Sequence, residues 1–187
     1  MPSHIQTDFV VEAGQVIPVV VLQPDSDPVA MARDLVAKGY PAVEVTLRTE
    51  NAIDAILAIA ENVPEAIVGA GTVISVEQMS AVKRAGAKFA VSPGTTRTLI
   101  DAAARMSMPY LPGASTPSEM MALAELGFQN LKFFPAEQSG GAPYLKALST
   151  VLPHVRFCPT GGIGPDNAPD YWALSNVACV GGSWVAK

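Results

Sequence analysis

The chain has 187 residues, 49% hydrophobic and 16% charged, with 17 acidic against 12 basic side chains and a formal net charge of −5. That length suits one domain, residues 1–187, with a proper core; the hydrophobicity excludes disorder, and the acidic balance without a Lys/Arg run excludes a general nucleic-acid binder. No apolar run reaches a membrane span and the Met-Pro-Ser-His-Ile start lacks the regions of a signal peptide, so the expected location is cytoplasmic.

In chain order, short apolar runs predict strands at Ile17–Leu22, Ala42–Leu47, Ala66–Ala70, Phe89–Ser92, Tyr110–Pro112, Leu131–Phe134, Arg156–Pro159 and Val177–Val180. They recur roughly every 21–25 residues, the length of a compact βα unit. Helix signals lie between them. Asp27-Pro28 offers an N-cap and a first-turn Pro, with Gly39 as terminator. Ser75 with Gln78 and Thr116 with Glu119 fit capping boxes, and Gly86 and Gly127 end those segments. Strand ends repeat a Pro or Pro-Gly signal at Ser92-Pro93-Gly94, Leu111-Pro112-Gly113, Phe134-Pro135 and Cys158-Pro159. This pattern predicts a compact (β/α)8 TIM barrel with active groups at the strand C-terminal ends. A doubly wound sheet is the alternative, but no GxGxxG follows the first strand. An eighth helix should follow Val177–Val180, yet the sequence stops at Lys187. Either the sequence is truncated there, or Ile5–Ala13 or another subunit covers that flank.

The chemistry-bearing residues follow the strands. Glu44, Thr46 and Arg48 alternate with Val43, Val45 and Leu47, so period two puts the polar set on one face. Glu44 as general acid/base and Arg48 as a carboxylate clamp would suit an oxoacid; a structural Glu44–Arg48 pair or a solvent-facing edge is the bland alternative. Gly69-Ala70-Gly71-Thr72 lets backbone approach a ligand and adds the Thr72 hydroxyl. In Asn130-Leu131-Lys132-Phe133-Phe134-Pro135-Ala136-Glu137, Lys132 shares a face with Phe134 among apolar neighbours. Desolvation there should lower its pKa from the free value of about 10.4 and make it a Schiff-base candidate. A Lys snorkelling from a strand end is the competing reading. Pro159-Thr160-Gly161-Gly162-Ile163-Gly164 and Gly181-Gly182-Ser183-Trp184 follow the seventh and eighth strands, where barrels bind phosphate through backbone N–H groups; tight turns without ligand are the alternative.

The rest of the chain invites less. Two cysteines, Cys158 and Cys179, read as buried reduced thiols, and the two histidines, His4 and His154, belong to no ligand-spaced cluster. No metal and no cofactor is expected. Tyr171 and Trp172 are expected to pack on the barrel's outside.

Taken together, Glu44-Val45-Thr46-Leu47-Arg48-Thr49, Gly69-Ala70-Gly71-Thr72-Val73, Lys132-Phe133-Phe134-Pro135-Ala136-Glu137, Pro159-Thr160-Gly161-Gly162-Ile163 and Gly181-Gly182-Ser183-Trp184 closely resemble the bacterial 2-dehydro-3-deoxy-6-phosphogluconate (KDPG) aldolases, the Schiff-base enzymes of the Entner–Doudoroff pathway. The resemblance implies a metal-free class I aldolase acting on a phosphorylated keto acid, with Lys132 forming the Schiff base and Glu44 moving protons. It implies that Arg48, Thr72 and Thr160 hold the pyruvate portion, Phe134 shapes stereoselectivity, and Gly161, Gly162 and Ser183 hold the phosphate. It also implies a homotrimer. A sibling aldolase for 4-hydroxy-2-oxoglutarate or the galactonate-derived isomer would share Lys132 and Glu44, and a phosphosugar isomerase or epimerase would use acid/base groups without a covalent intermediate.

Overall fold

The structure, a computed structural model, describes residues 6–186; His4, Ile5 and Lys187 fall outside the described residues. Helix α1 (Asp8–Val11) precedes β1 (Val16–Val20), and α2 (Pro28–Ala37), β2 (Ala42–Thr46), α3 (Ala52–Asn62), β3 (Ile67–Gly71), α4 (Val76–Arg84) and β4 (Phe89–Val91) follow. The chain continues through α5 (Arg97–Arg105), β5 (Tyr110–Leu111), β6 (Gly113–Ala114), α6 (Pro117–Glu125), β7 (Asn130–Phe133), α7 (Gly141–Leu148), β8 (Arg156–Pro159), α8 (Ala168–Trp172) and β9 (Val180–Gly182).

The α/β alternation forms, but the closed eight-stranded barrel does not. The described strands make a six-stranded parallel half-barrel sheet, ordered β5-β4-β3-β2-β1-β9, and a separate three-stranded parallel sheet, ordered β6-β7-β8. Two local causes divide them. Pro112 splits the predicted fifth strand into β5 and β6, because it has no N–H for the ladder; its carbonyl still accepts from the Lys132 N–H at 2.8 Å. Between β8 and β9 only isolated bridges remain, Phe157 with Val177 and Thr160 with Gly181, and these are one residue out of register with each other. The last strand is therefore displaced toward the glycines, to Val180–Gly182.

The helix punctuation acts as the residue types require. The Asp27 carboxylate accepts from the N–H groups of Val29 and Ala30, and Gly39 ends the segment at φ 89°. Thr116 and Glu119 form a full capping box, whose backbone hydrogen bonds hold the Glu119 carboxyl below its usual range despite partial burial. At α4 the box is incomplete: Ser75 accepts from Gln78 N–H, but the Gln78 side chain accepts from Ile74 N–H instead.

Period two sorts the strand side chains into two buried layers. Val43, Val45, Val68, Leu131, Phe133 and Phe157 pack toward the helices, while Ile17, Ala42, Phe89, Val91, Leu111, Cys158 and Cys179 form an inner cluster. Val10 and Val11 of α1 belong to that inner cluster. Arg156 pins the helix there, bonding Asp8 at 2.5 Å, Glu12 at 2.9 Å and Asn130 at 3.1 Å. The N-terminal segment thus closes the end where β7 and β8 begin, rather than covering a flank. Both cysteines are free; a hydrogen bond donated to Cys158, then burial, pushes the Cys179 thiol up.

Candidate active site

Inner-facing polar residues on β2 and β7 meet at the centre. Lys132 Nζ donates to Glu44 Oε1 at 3.0 Å, and the two residues are only 5% and 3% exposed. Neighbouring backbone admits them. A Cβ at Gly71 would lie 2.7 Å from the Glu44 Cδ, so only glycine leaves room for that carboxylate. Burial alone does not describe Lys132: the carboxylate beside it offsets the cost of burying its charge. The Lys132 Nζ also sits 5.6 Å from the centre of the Phe134 ring. Thr46, on the same face, spends its hydroxyl on the Val20 carbonyl at 2.9 Å.

The other sequence candidates gather around Phe134. A cavity of about 340 Å³ is walled by Arg48, Phe134, Thr160, Gly161, Gly162 and Ser183, together with Gln138. Arg48 is exposed and is the one cation in that wall. The two glycine loops touch: a Cβ at Gly181 would overlap the Thr160 hydroxyl, with Thr160 Cγ2 3.0 Å away. Gly161 and Gly162 have φ of 105° and 78°, which turns the loop in a way side-chain-bearing residues resist. Thr72 is not in the cavity wall. It follows Gly71 at the end of β3, with φ 61°, an outlier for a β-branched residue that costs on the order of 1–3 kcal/mol unless neighbours enforce it. No group of three or more His, Cys, Asp or Glu among the described residues could hold a metal ion.

Three features escaped the sequence reading. Tyr171 is buried in the helix-facing layer, and its hydroxyl donates to the Glu137 carboxylate, a partner the sequence does not show. Burial first, and that hydrogen bond second, push its pKa up, so it stays a neutral donor. Glu137 itself packs under the phosphate-type loop, since a Cβ at Gly162 would lie 2.6 Å from its Cγ. Gln138 reaches the cavity wall from the turn after Glu137. Ser92, seen only as part of a strand-end repeat, is fully buried and bonds the Val73 carbonyl. The Glu137 run was visible in sequence; its partner lies 34 residues away and only folding reveals it.

The profile of the KDPG and KHG aldolases matches residues 7–187. A KHG/KDPG aldolase of Escherichia coli is 52% identical over 178 residues, 95% of this chain and 84% of its own. The crystal structure of a Legionella pneumophila KDPG aldolase, with pyruvate captured as a covalent carbinolamine, superposes with a TM-score of 0.92 at 47% identity, covering 96% of this chain and 87% of that one. A Zymomonas mobilis 2-keto-3-deoxy-6-phosphogluconate aldolase with 3-phosphoglycerate superposes with a TM-score of 0.90 at 44% identity, over 95% of this chain and 84% of the other.

Proposed function

This chain belongs to the KDPG and KHG aldolase family, whose members are carbon–carbon lyases, and we propose that Lys132 is its Schiff-base nucleophile and Glu44 its general acid/base. It is a class I aldolase that cleaves 2-dehydro-3-deoxy-6-phosphogluconate to pyruvate and glyceraldehyde 3-phosphate. The observation that carries the residue roles is the buried Lys132–Glu44 pair at 3.0 Å, set beside a cavity with one cation and two glycine loops.

Lys132 gives its proton to the carboxylate it already contacts and attacks the C2 ketone as a free amine. Glu44 returns that proton to the carbinolamine hydroxyl, which leaves as water and gives an iminium, so Glu44 is again a carboxylate. Glu44, through a water, takes the C4 hydroxyl proton; the C3–C4 bond breaks, its electrons pass into the iminium, and glyceraldehyde 3-phosphate leaves. The enamine is protonated at C3 and hydrolysed to pyruvate, restoring Lys132. In this reading Arg48, Thr72 and Thr160 hold the pyruvate portion and Phe134 sets the stereochemical face. Gly161, Gly162 and Ser183 receive the phosphate through N–H groups and one hydroxyl. The Legionella and Zymomonas ligands support these two halves by analogy.

Borohydride reduction with pyruvate, followed by peptide mapping, tests the assignment. The adduct is expected on the peptide containing Lys132, and chelators should not reduce turnover. An adduct on Lys38, Lys83, Lys88 or Lys146 would overturn it. The name of the Escherichia coli relative also covers 4-hydroxy-2-oxoglutarate cleavage, so relative kcat/KM decides the preferred substrate. The chain works as one aldolase domain in the cytoplasm, a reading supported by two free thiols; among the described residues no helix is long and apolar enough to cross a membrane. It assembles as a homotrimer, a reading that rests on the family resemblance, and light scattering tests it.

A further inference from the structure

We propose that Ser92 is a positioning residue that holds the Thr72 hydroxyl on the keto-acid end of the substrate; this rests on the reading of Lys132 and Thr72 given above. Two non-glycine residues among those described have positive φ, Thr72 and Ser107. Ser107 is accounted for by a helix end: its N–H bonds the Ala104 carbonyl, and the next N–H bonds Ala103, as α5 terminates. Thr72 has no such cause. It stands between a strand and a helix cap, and its backbone persists only because both neighbours are fixed.

The fixing groups are identifiable. On one side the Gly71 carbonyl accepts from Leu47 N–H at 2.9 Å. On the other, Val73 N–H bonds the Val91 carbonyl at 3.0 Å, and the Val73 carbonyl accepts from the Ser92 hydroxyl at 2.5 Å. Ser92 is itself immobile. It is fully buried, its N–H bonds Leu111 at 3.3 Å, and a Cβ at Gly113 would overlap its carbonyl. The Ser92 hydroxyl is used on the Val73 carbonyl, so Ser92 acts through backbone rather than on substrate. Without that hydroxyl the Val73 carbonyl loses its side-chain partner, the Val73–Ile74 peptide is free to rotate, and Val73 keeps only its N–H bond to Val91 as an anchor. Thr72, held between Val73 and Gly71, the residue against which Glu44 packs, then relaxes toward an ordinary backbone region.

The test is a double-mutant cycle of Ser92→Ala and Thr72→Val, read as the pyruvate concentration that half-saturates borohydride trapping of Lys132. A hydrogen bond to a charged group supports a rise of roughly tenfold in Ser92→Ala, with KM raised and kcat little changed. In the Thr72→Val background the same change should shift half-saturation by less than about twofold, because the group it positions is gone. Unchanged half-saturation in folded Ser92→Ala, or an equal rise in both backgrounds, would overturn the inference. If the alanine variant does not fold, Ser92→Cys fills the same space with a weaker donor; a smaller rise confined to the Thr72 background supports the role, and no rise refutes it. Wild-type protein that yields no Lys132 adduct would instead sink the aldolase roles, and this inference with them.

Discussion

At the centre of the site two opposite charges, Lys132 and Glu44, are buried 3.0 Å apart, whereas at its mouth Gly161, Gly162, Gly181 and Ser183 offer backbone donors and a hydroxyl but no charge. The centre keeps charges that are costly to bury and therefore must be paired and fixed. The glycine loops of the mouth carry no charge of their own beside Arg48, the one cation in the cavity wall, and in the proposed reading they spread anion recognition over dipoles. A change at the centre should thus alter the chemical step through single atoms. A change at the mouth should alter binding by smaller amounts.

The largest expected effect is at Lys132. Lys132→Arg keeps a cation beside Glu44 but cannot form an imine, so adduct and cleavage should both vanish, as mass spectrometry after borohydride and a coupled assay would record. Glu44→Gln should still trap pyruvate on Lys132 while kcat falls about 10²–10⁴-fold, the usual contribution of a general acid/base. Near-normal kcat would make Glu44 only the partner that solvates Lys132, and the contrast between centre and mouth would collapse.

Gly162→Ala probes the mouth. The new Cβ would meet Glu137 Cγ at 2.6 Å in a backbone of φ 78°, so the loop must move. KM for the phosphorylated substrate should rise roughly tenfold with kcat largely kept, and 4-hydroxy-2-oxoglutarate should be much less affected. An equal loss on both substrates would mean that the loop supports the centre rather than the phosphate.

The two regions were unequally legible in sequence. Alternation around Glu44 and Lys132 is a local, period-two signal, and the inner and outer layers obey it at both strands. The glycine pairs were equally local. Closure of the sheet was not: eight apolar runs were readable, but the break at Pro112 makes nine strands of them among the described residues, and that break and the out-of-register bridges from β8 depend on which backbone groups find partners across the sheet. Boundaries failed for the same reason at the last strand, where apolar Val177 makes only a bridge and the ladder runs through Gly181 and Gly182. Arg156 looked like an ordinary strand residue, yet it anchors α1 through Asp8, which lies 148 positions away. Tyr171 packs against the helix-facing layer as expected, but its hydroxyl's partner, Glu137, is 34 positions away and shows only in the fold.

That partner supplies the smallest and most discriminating effect. Glu137 places a carboxylate under a loop assigned to phosphate, where like charge should repel, and the Tyr171 hydroxyl holds it inward. Tyr171→Phe keeps the buried ring but frees the exposed Glu137 side chain. At about 6 Å in a water-like medium each unit of like charge costs roughly 0.7 kcal/mol, so KM for the phosphorylated substrate should rise about three- to tenfold. The rise should shrink as salt is added, since exposed charges are screened beyond a Debye length of about 8 Å at physiological ionic strength. Glu137→Gln separates charge from bracing. If Tyr171 serves to restrain a charge, the neutral amide leaves KM near its wild-type value, alone or combined with Tyr171→Phe. If both single variants raise KM equally and independently of salt, the pair is a mechanical brace for Gly162, and the uncharged mouth owes nothing to the placement of Glu137.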